Sequence, residues 1–213
     1  MRTVVLFLAL VPSAAWADAP SWALGVEGPG PGLGRVAIGG GLVEASGVGP
    51  SLAVDYVRGL SSAVDLYGSG EVGLLSPGGE AGLLSILGVG VQLRATAPGA
   101  DLDFALRGGP EVVLFHVDGD LGYGGVVLGV APGFAVGMGT DTVQVTVGVD
   151  VPLYLYGAFG AASRTASGAD LSVTVRPSIS VEGRLGGDLR WFATVTHHRL
   201  LSGPGGGGAI LST

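Results

Sequence analysis

Residues 143–156 read VQVTVGVDVPLYLY. The odd positions Val143, Val145, Val147, Val149, Val151, Leu153 and Leu155 are all aliphatic, while the even ones are Gln144, Thr146, Gly148, Asp150, Pro152, Tyr154 and Tyr156. An extended chain turns alternate side chains to opposite faces, so this stretch is predicted to be a strand with one wholly apolar face. A helix would mix the two sets. The pattern returns downstream, with Leu171, Val173, Val175, Pro177, Ile179 and Val181 against Ser172, Thr174, Arg176, Ser178, Ser180, Glu182 and Arg184. After Asp188 it recurs as Leu189, Trp191, Ala193 and Val195 against Arg190, Phe192, Thr194, Thr196 and His198.

Upstream the same rule predicts strands over 34–45, 48–58, 63–75, 83–96, 101–117 and 126–138. In 101–117, Leu102, Phe104, Leu106, Val112 and Leu114 oppose Asp103, Arg107 and Glu111, and in 126–138 the face opposite Val126, Leu128, Val130, Phe134, Val136 and Met138 is nearly all Gly and Ala. The predicted strands run to roughly 11–17 residues, against about 5–6 in soluble proteins. A tilted strand crossing a bilayer needs about 9–11. Tight connections at 59–62, 97–100, 139–141 and 186–188 alternate with longer ones at 76–80, 118–124 and 157–169. Short turns at one end and longer loops at the other are the habit of outer-membrane barrels.

Composition narrows the class further. Of 213 residues 42 are Gly, 47% are hydrophobic and only 13% charged, and the mean hydropathy is +0.58. A disordered chain would be polar and charge-rich, and no Gly-X-Y period marks a collagen. The net charge is −7, every basic residue is Arg, and no basic cluster offers a nucleic-acid footprint. Cys is absent, which excludes disulfides, zinc ribbons and thiol nucleophiles.

At the N-terminus Arg2, the apolar run VVLFLALV at 4–11 and Ala15-Trp16-Ala17 before Asp18 have the order of a secretory signal peptide, predicted to span 1–17. The apolar run is far short of the roughly 20 residues that a spanning helix requires. Residues 18–33 then read as a Gly/Pro-rich segment, and the Gly-rich runs at 28–34 and 203–208 are expected to be flexible linkers rather than phosphate loops.

With this signal, the long period-two strands and the alternating connections, the chain from about 34 to 200 resembles the small bacterial outer-membrane β-barrel superfamily that includes OmpA-type and OmpX-type barrels. The resemblance implies an all-β fold, a membrane-spanning antiparallel up-and-down β-barrel of about 8–10 strands, with an even count of eight or ten favoured. It further implies residence in a Gram-negative outer membrane, with lipids as surroundings and a monomeric state. Such barrels usually end on an aromatic residue, whereas residues 201–213 form a Gly-rich tail or short closing strand ending Ala209-Ile210-Leu211-Ser212-Thr213.

If the apolar faces meet lipid, the inner faces carry Asp55, Asp65, Glu71, Arg94, Asp103, Arg107, Glu111, Asp150, Arg176, Glu182, Arg184 and Arg190. A barrel of about eight strands is just filled by its own side chains, so these charges are expected to pair across the lumen as a plug. The function expected is structural or surface-interacting, with loop 157–169 as the most exposed contact surface, either for an unidentified extracellular partner or with no partner at all, and no catalytic residue, metal or cofactor is assigned. A narrow porin-like channel for small polar solutes is the alternative, and an outer-membrane lipid-modifying enzyme a second. The residues that bear on the enzyme are few: His116 with Asp118, and His197-His198 with Ser202. Adjacent strand residues face opposite ways, so His197 and His198 cannot share one metal without distortion. A secreted β-sandwich is the fourth reading, and Trp22, Tyr56, Tyr154, Tyr156, Phe159 and Trp191 fall near strand ends, as either interfacial aromatics or core packing would place them.

Overall fold

A computed structural model describes residues 26, 28–44, 48–75, 81–96, 102–118, 123–140, 142–160, 170–186, 189–197 and 199–202. The predicted signal at 1–17, the connections at 76–80 and 97–100, residues 161–169 of the expected long loop and the tail 203–213 lie outside these residues.

The described chain is all-β. Strands β1 (Gly34–Glu44), β2 (Val48–Gly59), β3 (Val64–Leu75) and β4 (Gly82–Thr96) form an antiparallel meander. The next pass along the sheet is split at Gly109 into β5 (Leu102–Gly108) and β6 (Pro110–Val117), both paired with β4. The following pass is split at Ala131-Pro132 into β7 (Tyr123–Val130) and β8 (Gly133–Gly139), and the one after at Val151-Pro152 into β9 (Val143–Asp150) and β10 (Leu153–Gly160). Strand β11 (Asp170–Gly186) is continuous, and β12 (Leu189–Thr196) and β13 (Arg199–Ser202) pair with it as two halves of the last pass.

Among the described residues, thirteen strands, four pairs of which are halves of one pass, make nine passes, within the 8–10 expected from the sequence though not an even count. Three of the four splits share a cause. Proline has no N–H to give to a ladder, and Pro110, Pro132 and Pro152 stand at neighbouring levels of adjacent passes. Single hydrogen bonds carry the sheet across: Ala131 N–H donates to Gly109 O at 2.9 Å, Val151 N–H to Pro132 O at 2.8 Å and Thr174 N–H to Pro152 O at 3.0 Å. The side-chain alternation keeps its phase through the three proline splits. The closed circuit of strands from β4 through β5, β8, β9, β11, β10, β7 and β6 back to β4 surrounds this row of interruptions within the sheet.

The sheet curls until its two edges approach. Arg35 Nη1 of β1 comes within 3.9 Å of Glu182 Oε1 on β11, and Phe192 of β12 packs against Ala37 of β1 and Val57 of β2. Among the described residues no backbone ladder joins β1 to β12 or β13.

Polarity is inverted relative to a water-soluble core. Leu52, Leu93, Leu128, Val147, Ile179 and Val195 are exposed, whereas Asp65, Glu111, Asp150 and Arg176 are buried. Among the described side chains, the only charged residue on the outward face of the strands is Arg58, beside the turn at Gly59. His116 of β6 also faces outward.

Inside, the end that carries the tight turns is polar. Toward the loop end the interior is filled by Leu84 and Ile86 of β4, Val113 and Phe115 of β6 and Val127 of β7. The described part of the N-terminal segment is not a free linker. Val26 is buried against Ala105 and Ala135, and Pro31 bridges to Gly59.

Candidate functional site

A layer of paired charges lies at the level of the proline splits. Arg107 and Glu111 flank the break at Gly109, and Asp150 and Tyr154 flank the break at Pro152. Four residues apart along an extended chain, each pair shares one face. Arg176 of β11 is in register with Asp150.

Arg107 donates from Nε to Asp150 Oδ1 at 3.0 Å and from Nη2 to Oδ2 at 2.5 Å. Arg176 donates from Nη1 to Glu111 Oε1 at 3.0 Å and from Nη2 to Oε2 at 2.8 Å. The Tyr154 hydroxyl donates to the same Glu111 carboxylate, and the Arg107 guanidinium sits 5.5 Å from the centre of the Tyr67 ring. Two forked guanidiniums meeting two carboxylates are the strongest and most direction-dependent ion pairs that side chains form. Buried charges demand such pairing, because one left alone retains its full desolvation cost.

Two further pairs lie nearer the turn end. Arg94 of β4 donates from Nε to Asp65 Oδ2 of β3 at 2.5 Å and from Nη2 to Oδ1 at 3.1 Å. Arg190 of β12 donates from Nη1 to Glu182 Oε1 at 2.8 Å, the oxygen approached by Arg35. Asp55 and Glu71 are buried and Asp103 half-buried, each with an interaction partner. Arg184 departs from expectation. It follows the inward alternation but is exposed at the end of β11, outside the buried layers.

The small inner face of β7 and β8 has a specific use. A Cβ at Gly125 would strike the Phe115 ring, one at Gly129 the Tyr154 ring, one at Gly133 the Asp150 carboxylate and one at Gly137 the Val26 side chain. Phe115, Tyr154 and Asp150 are the direct cross-strand partners of these glycines. Phe115, Tyr154, Asp150 and Val26 thus each lie over a position that has no side chain.

Tyr154 is not an interfacial aromatic but a buried member of the central layer. Its inward parity was visible in the sequence. Tyr56 and Trp191 do face outward, Tyr56 exposed and Trp191 partly so. His116 Nε2 lies 3.1 Å from Asp118 Oδ1, a pair that is largely exposed. His197 is exposed at the split between β12 and β13, and His198 lies outside the described residues. Among the described residues no three of His, Cys, Asp and Glu come together as a metal-holding group.

Models of known protein families, curated proteins and solved structures give no match to this chain. Its reading rests on its own geometry.

Proposed function

We propose that the chain is an integral outer-membrane β-barrel with a structural or surface-interaction role and a lumen plugged by its own ion pairs. The observation that carries this reading is the inversion of polarity. A wall of exposed aliphatic side chains surrounds buried Arg176 and Glu111, each 1% exposed. Large continuous apolar surfaces mark contact with a membrane or a protein, and one that runs over every pass suits a lipid solvent better than a single partner. The seam between β1 and β12 would have to close in such a setting, because unpaired backbone groups are costly in hydrocarbon.

Pairing of the central charges favours a plug over a channel. A conducting channel would need charges turned toward water. Here Arg107 is paired with Asp150, and Arg176 with Glu111, through forked hydrogen bonds.

Partitioning and gel mobility test the reading. The protein should remain with the membrane through carbonate washing, and unboiled and boiled samples should migrate differently on a denaturing gel. Release by carbonate together with identical mobility would overturn it.

A further inference from the structure

The segment before β1 makes more contacts than a connection needs. Gly32 N–H donates to Gly59 O at 2.9 Å and Gly59 N–H to Leu33 O at 3.0 Å, fixing the chain to the end of β2. Gly30 and Gly32 have φ of 87° and 75°, a left-handed conformation that costs glycine nothing. They turn the chain over the rim at the tight-turn end. Gly28 then passes so close to the Arg94 guanidinium that a side chain there would collide with it. Val26 follows, 1% exposed, against Ala105 of β5 and Ala135 of β8. The absence of a side chain at Gly137 makes room for it. The Arg94 guanidinium donates two hydrogen bonds to the Asp65 carboxylate.

We propose that Val26 and residues 28–33 form a built-in strap that seals the turn-end mouth of the lumen, with Val26 as its stopper. This goes beyond the membrane reading and rests on it only for the side on which the mouth opens. Three features distinguish a seated strap from a chance contact. The rim hydrogen bonds fix where it enters, the two left-handed glycines aim it inward, and the socket is made of residues too small to fill the space themselves. Release of the strap would expose the wall at Ala105 and Ala135 and the Asp65–Arg94 pair to solutes from that end.

The chain has no cysteine, so single thiols report cleanly. In the folded full-length protein, Val26→Cys should react with a bulky charged maleimide about tenfold or more slowly than Leu33→Cys, since a buried group is reached only through local opening. Ala135→Cys, or Ala105→Cys should the first variant misfold, should be equally slow. Combining either reporter with Val26→Arg should raise its rate about tenfold or more, as the charged side chain leaves an apolar socket. Equal rates at 26 and 33, or a reporter whose rate ignores Val26→Arg, would overturn the strap. Heat-dependent gel mobility of the same samples reads the barrel separately: its loss with thiol protection intact counts against the membrane proposal and not against the strap.

Discussion

Gly133 lies directly beneath the carboxylate of Asp150, its partner across the β8–β9 ladder, with no space for a Cβ between them. This is what lets Asp150 turn its oxygens to Arg107. A side chain at residue 133 would push the carboxylate from its cation and leave both charges buried.

Gly133→Val is therefore expected to lower stability by about 3–5 kcal/mol, the usual cost of breaking a buried pair. Urea titration in detergent, followed by the gel-shifted fraction, measures it. Combined with Arg107→Ala the losses should fall well short of additive, because both changes break one contact. Full additivity would place the damage elsewhere.

Arg176→Met alone should cost about 3–5 kcal/mol by stranding Glu111, whereas Arg176→Met with Glu111→Leu should recover much of the loss. The same titration decides. A double variant as unstable as the single one would show that Tyr154, which donates to Glu111, depends on the carboxylate more than Arg176 does.

Val147, 48% exposed on the outer wall, separates lipid from water as surroundings. Val147→Arg should cost about 2–4 kcal/mol if the residue sits near a bilayer midplane. Refolding into vesicles supplies the measurement. Unchanged folding, with the variant recovered in the aqueous fraction, would support a soluble protein instead.

In planar bilayers the purified protein should pass little steady current, because its central charges are paired. Arg107→Ala should admit transient openings by freeing Asp150. Large, stable steps from the unmodified protein would replace the plug with a channel.

Much of this architecture was legible in the residues, and the reasons are local. Period two fixes which face a side chain takes, so the inward set from Asp55 to Arg190 could be read directly, and only Arg184, at a strand end, escaped burial. Parity says nothing of register. That Arg107 meets Asp150 and Arg176 meets Glu111 depends on how far neighbouring passes slide, which no single strand encodes. The proline splits left no mark on the alternation, since the bridging hydrogen bonds keep its phase. Val26 was missed because glycines around it read as freedom, whereas Gly30 and Gly32 spend that freedom on one specific bend.

The pairing of the central layer has an electrical consequence. Each guanidinium and its carboxylate lie side by side, so any movement of a pair carries no net charge. A membrane potential does work of about 2.3 kcal/mol per 100 mV on one elementary charge crossing the whole field, and on a co-moving neutral pair it does almost none. In a membrane, this interior would hold its shape across the voltages a cell envelope generates, and a lumen built this way is deaf to potential.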